Sequence, residues 1–140
     1  MHEGPKVVTV AVPHGPVLIS SDLHGHSMNF PVWDLATTMS KLLSVGMPFD
    51  KVVDAVTHAP ADVIRLPMDN RLSVGERADF TIFDLIDEDL EATDSNGDVS
   101  RLKKVFEPRY SVIGAEAITA SRYVPRARRL VRHSHGLSWR

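Results

Sequence analysis

Within residues 20–27, Ser-Ser-Asp-Leu-His-Gly-His-Ser, a carboxylate and two imidazoles stand among hydroxyl side chains. Groups of this kind ligate divalent metals or exchange protons near neutral pH. Asp22 closes an apolar run, and a carboxylate there is costly to bury unless a metal, a partner charge or hydrogen bonds compensate it. Asp is also a favoured cap and turn residue. Spacing alone therefore leaves two readings open for Asp22, His24 and His26: chemistry, or a polar loop with a cap.

Two other clusters carry less. Asp94, Asn96 and Asp98 begin like a calcium loop, but Val99 stands where that loop needs Gly and Val105 where it needs Glu. The Asn96-Gly97 pair predicts a tight turn instead. His133-Ser134-His135 has ligand spacing but offers too few donors for a closed site.

The elements that must position Asp22 can be read from the periodicity. Residues 6–12 and 17–21 are β-branched and apolar, separated by Pro13-His14-Gly15-Pro16, which predicts strand, turn, strand. The second run is continuous, as in a strand buried on both faces, and its C-terminal end is where α/β enzymes place chemistry. A helix is expected from Pro31 to Val45, with Val32, Leu35, Ala36, Met39, Leu42 and Leu43 on one face and Gly46 as its stop. A second helix starts at Pro48 and runs to about Thr57, and a short helical turn follows through Leu66. Beyond Pro67 the pattern is all-β: a strand over 78–85, an acidic stretch with the Asn-Gly loop, then strands over 105–113 and 116–124 around Gly114. The chain thus divides near residue 66.

Length and composition bound these readings. The 140 residues, 43% hydrophobic and 24% charged, describe a folded chain, not a disordered one. With no Cys, disulfides, thiolate zinc sites and cysteine nucleophiles are excluded together. No apolar run reaches the roughly 18 to 20 residues needed to span a bilayer, and the N-terminus lacks a signal-peptide layout. No membrane association and a cytoplasmic location are expected. The net charge of −2 hides an acidic stretch from Asp84 to Asp98 and a tail rich in Arg122, Arg126, Arg128, Arg129, Arg132 and Arg140. Without interleaved aromatics or a recognisable motif, that tail reads as solvated or as an intersubunit contact, and no nucleic-acid partner is expected.

Several motifs together resemble a known family. They are residues 19–24 (Ile-Ser-Ser-Asp-Leu-His), 31–35 (Pro-Val-Trp-Asp-Leu), 40–43 (Ser-Lys-Leu-Leu), 57–61 (Thr-His-Ala-Pro-Ala) and 75–84 (Gly-Glu-Arg-Ala-Asp-Phe-Thr-Ile-Phe-Asp). Residues 106–110 (Phe-Glu-Pro-Arg-Tyr) and 119–123 (Thr-Ala-Ser-Arg-Tyr) extend the likeness. The set resembles the C-terminal end of metal-dependent amidohydrolases, in the dihydroorotase-like amidohydrolase/deacetylase group. The Gly-Glu-Arg-Ala-Asp motif is common to the wider superfamily; the others are more specific.

The resemblance implies an α/β fold: the C-terminal fragment of a (β/α)₈ TIM barrel, its last strand and helices, followed by part of a small β-sandwich. Residues 1–66 would be the barrel remnant and 67–140 the later part of the composite sandwich. It implies a hydrolase of amide, cyclic amide or acetyl-ester bonds in small-molecule substrates, with Zn²⁺ or another divalent metal, one or two per full-length site. Asp22 would ligate the metal and act as general base and then general acid, and His24 would reach substrate.

His24-Gly25-His26 is not the superfamily's first-strand His-x-His pair. Only His58, His133 and His135 follow it, and Gly-Glu-Arg-Ala-Asp arrives already at residues 75–79. A whole barrel takes roughly 250 residues, and the family's other metal ligands would lie upstream of Met1. A truncated piece or a misplaced start is therefore expected, inactive and metal-free on its own. The alternative is a non-enzymatic α/β module that binds a partner. In either case open strand edges and a helix deprived of its sheet predict a homo-oligomer.

Overall fold

A computed structural model describes residues 17–24, 33–66, 74–75, 77–94 and 96–123, and the backbone of 131–133 and 136–138. The expected strand over 6–12, the turn at 13–16, His26, Pro31, His135, Arg126, Arg128, Arg129 and Arg140 lie outside these residues.

Asp34 opens the first helix, α1 (Leu35–Ser44). Its backbone is extended, its carbonyl accepts the first helical bond from the Thr38 N–H at 3.1 Å, and its Oδ1 accepts the Thr37 N–H at 2.6 Å. That is side-chain capping of an otherwise orphaned donor. The helix therefore starts later than the proline at 31 suggested, because an Asp just before the periodic residues satisfies the first turn. Gly46 ends it as expected. With φ +96°, Gly46 donates to the Leu43 carbonyl and Met47 to the Leu42 carbonyl, each at 3.1 Å, a Schellman closure that glycine makes without strain.

After Pro48 comes α2 (Phe49–Val56), and across Thr57 a short α3 (His58–Val63). The three helices are joined by turns too tight to leave room for a strand between them.

The rest is antiparallel. The long β1 (Asp79–Thr93) pairs with β2 (Val99–Ile113), and β2 pairs with β3 (Glu116–Thr119), in the order β1-β2-β3. A separate short pair joins β4 (Val131–His133) and β5 (Gly136–Ser138). β1 runs well past Leu85, where the sequence suggested an end. Its acidic residues are paired across the ladder: Asp84 with Arg109 at 2.7 Å, Asp87 with Lys104 at 2.6 Å, and Asp89 with Arg101 and Lys103 at 2.8 Å each. Opposite charges on facing strands favour the pairing that like charges would oppose.

The hairpin closes on the expected Asn-Gly turn. Gly97 has φ +90°, and the Asp94 carboxylate accepts the N–H of Asn96 at 2.8 Å and of Asp98 at 2.9 Å. Asp94 Oδ1 thus braces the turn by accepting both N–H groups.

The core sits between helices and sheet. Met39 of α1, Val52 of α2 and Phe106 of β2 are buried together, with Phe83 of β1 beside them. Phe106 meets the Phe83 ring edge-on at 5.0 Å between centroids and stacks on Phe49 at 5.6 Å. Burying a side chain of that size contributes about 1.5 to 3 kcal/mol. The Ser40 hydroxyl is fully buried, donates to the Ala36 carbonyl at 2.7 Å and accepts the Phe106 N–H at 2.9 Å, locking α1 to β2. α1 thus packs against β2 of the antiparallel sheet.

Residues 17–21 are a further difference, since they form no strand. Among the described residues they lack a ladder partner, and the Ile19 N–H instead donates to the Ala55 carbonyl of α2 at 3.0 Å. An apolar β-branched run favours a strand only where another strand completes its hydrogen bonds.

Candidate functional site

Asp22 stands at the end of this docked segment. Its backbone is left-handed, φ +47°, a conformation that costs most residues about 1 kcal/mol or more and that Asp and Asn tolerate best. The Asp22 N–H donates to the Ser20 Oγ at 3.2 Å, so the serine braces the bend. Asp22 and His24 are both exposed. The carboxylate is held at a sharp turn and presented outward, tethered to α2 through Ile19. A side chain so placed can accept and release a proton.

Among the described residues no three of His, Cys, Asp and Glu gather to hold a metal ion. Asp22 and His24 are thus not joined by a third such side chain among the described residues.

A groove of about 700 Å³ lies between α1, α2 and the β1–β2 sheet. Its walls are apolar, with Leu35, Met39, Val53, Phe80 and Val112 among them, and Phe106 on its floor. His58 lies on its lining and pairs with Asp54 at 3.5 Å, one helical turn back, with both side chains well exposed. No helix among the described residues is long and apolar enough to cross a membrane.

The structure also shows a cluster that sequence reasoning missed. Arg122, placed in the solvated basic tail, has a side chain only 9% exposed. Its Nε donates to Glu107 Oε2 at 2.6 Å and its Nη2 to Glu88 Oε2 at 2.5 Å. Burial opposes the guanidinium charge, but the Glu107 hydrogen bond and both carboxylate charges outweigh it and hold the pKa above its usual value. The available signal was the acid-rich β1 facing Arg122 just past β3, visible only once the register is known. Lys41 is a second case: burial pushes its ammonium down, the Asp94 charge pushes back, and Nζ donates to the Thr93 carbonyl at 2.9 Å.

Known proteins similar to this chain include deacetylases. Residues 72–117 match the family model described as the deacetylase-like composite domain. A deacetylase of Brucella anthropi and one of Agrobacterium fabrum are each 77% identical over 137 residues, 96% of this chain. A deacetylase of Enterococcus faecalis is 39% identical over 99 residues. Among solved structures, a dihydroorotase superposes with a TM-score of 0.76 at 81% identity, covering 79% of this chain and 29% of its own. An adenine deaminase superposes with a TM-score of 0.61 at 39% identity, covering 66% of this chain and 25% of its own. The class is that of the amidohydrolases. Within it, the chain belongs to the dihydroorotase-like deacetylase group, and it spans about a third (34%) of the length of the Brucella and Agrobacterium relatives.

Proposed function

We propose that this chain is the C-terminal portion of an amidohydrolase that cleaves amide, cyclic amide or acetyl-ester bonds of small molecules, and that Asp22 is its contribution to catalysis. Residues 1–66 belong to the end of a (β/α)₈ barrel, with 17–21 as the last strand once neighbouring strands complete its ladder, and 67–140 to the composite sandwich. The 77% identity to deacetylases over 96% of the chain supports the reaction class. The observation that carries the site is Asp22 itself, a carboxylate fixed in a left-handed turn at the end of an apolar run and presented outward.

When bound, a divalent metal such as zinc supplies Lewis acidity and lowers the pKa of a coordinated water. Asp22 is the ligand this chain offers, and the remaining donors come from the rest of the enzyme. The Asp22 carboxylate takes a proton from the attacking water and returns it to the leaving nitrogen or oxygen. His24, two residues on and equally exposed, contacts substrate.

Asp22→Asn in the full-length enzyme tests the reading cleanly, because Asn keeps the left-handed backbone that Ala would strain. Turnover is expected to fall by about 10²- to 10⁴-fold, with circular dichroism unchanged. Wild-type rates in that variant would remove Asp22 from the chemistry.

A further inference from the structure

Residues 120–123, between β3 and the tail, touch three parts of the molecule at once. The Ala120 N–H donates to the Arg109 carbonyl at 2.9 Å, extending the β2–β3 ladder by one step. Arg122 is almost fully covered and forks between Glu107 of β2 and Glu88 of β1. The Tyr123 N–H donates to Asp34 Oδ2 at 2.6 Å, across 89 positions of sequence.

Asp34 is thus used at both oxygens: Oδ1 caps α1 through Thr37, and Oδ2 receives Tyr123. A cap normally has one free oxygen and the freedom to swing. Here the second oxygen is fastened to a segment that is itself riveted to the sheet by an ion pair on each side.

We infer that residues 120–123 are a strap that fixes the N-terminus of α1 on the sheet, with Arg122 as its rivet and Asp34 as its catch. The Ser40–Phe106 bond secures the middle of α1, and the strap secures its first turn; the two attachments together set the helix angle. This positioning role stands apart from the proposed catalysis and is tested without any activity assay.

Breaking a covered ion pair leaves its partners uncompensated, and local opening follows from losing a local tether before the whole fold gives way. Hydrogen exchange on the full chain therefore separates a strap from a general prop. In Arg122→Met the amides of Thr37 and Thr38 are expected to exchange at least about tenfold faster, while Leu102 and Ala92, at the far end of the hairpin, change less than about twofold. Equal acceleration at every amide, or none at Thr37 and Thr38, would overturn the strap. Asp34→Asn gives an independent reading should Arg122→Met fail to fold: Asn remains a good cap but offers a single carbonyl oxygen. The Tyr123 amide is then expected to lose its protection by about tenfold while β1–β2 amides hold. Unchanged exchange at Tyr123 would equally overturn the proposal.

Discussion

Two adjacent buried hydroxyls on α1 face opposite fates. Ser40 accepts the Phe106 N–H and donates within its own helix, whereas the buried Thr37 Oγ1 has no hydrogen-bond partner among the described residues. Removing Ser40 leaves a buried backbone donor unpaired, a loss of about 1 to 3 kcal/mol. Replacing Thr37 by Val removes an unsatisfied polar atom at nearly the same shape, which is neutral or stabilising. Chemical denaturation should therefore show Ser40→Ala less stable by about 1 to 3 kcal/mol and Thr37→Val no less stable than the parent. Equal destabilisation by both would mean that packing volume, not hydrogen bonding, sets the cost. Neither role was legible in the sequence. Ser40 and Thr37 look alike within the helical run, and only the approach of β2, more than 60 positions away, distinguishes them. Asp22 was legible as a residue of interest, but whether it capped a loop or served chemistry was not; the left-handed turn and the outward side chain are properties of the fold.

The helices show how far local signals reach. Gly46 was readable as a stop because left-handed closures recruit glycine. The end of α3 makes the same closure with the wrong residue: Arg65 has φ +53°, with its N–H bonded to the Asp62 carbonyl at 3.1 Å and the Leu66 N–H to the Ala61 carbonyl at 2.9 Å. A left-handed arginine costs about 1 kcal/mol or more, part of which glycine recovers against its greater freedom when unfolded. Thermal denaturation should show Arg65→Gly more stable by up to about 1 kcal/mol, and Arg65→Val less stable than the parent. A Gly variant weaker than the parent would indicate that the Arg65 side chain is held by contacts that outweigh its backbone strain. Strands were harder to delimit. The apolar pattern predicts a strand only as far as Leu85, and the acids beyond it are depleted in strands. The cross-strand bases on β2 reverse that preference, and those contacts depend on a register that no local window contains. Residues 17–21 fail in the opposite direction: strand-like by composition, they find no ladder partner among the described residues and dock on α2 through the Ile19–Ala55 backbone bond.

At the scale of the whole molecule, the apolar groove decides behaviour in solution. Its walls include Leu35, 40% exposed, and side chains of α2, β1 and β2, and the helix surface beyond adds Val63, Ile64 and Leu66, each more than half exposed. Apolar surface of this kind is unusual in a soluble monomer and marks a place that another surface covers. The chain accounts for 34% of relatives that share 77% of its residues. In isolation, therefore, copies of this chain should cover one another. Sedimentation velocity is expected to show a mass that rises with protein concentration, and Leu35→Lys with Val112→Lys should shift the population toward monomer, since a charge inside an apolar contact is costly to desolvate. The same preparation should hold well under one zinc per chain by elemental analysis, because Asp22 and His24 fall short of the three or four protein ligands a tight zinc site uses. A clean monomer carrying equimolar zinc would contradict both expectations at once: the groove would then be a finished surface, and Asp22 with His24 would belong to a metal site complete within these 140 residues.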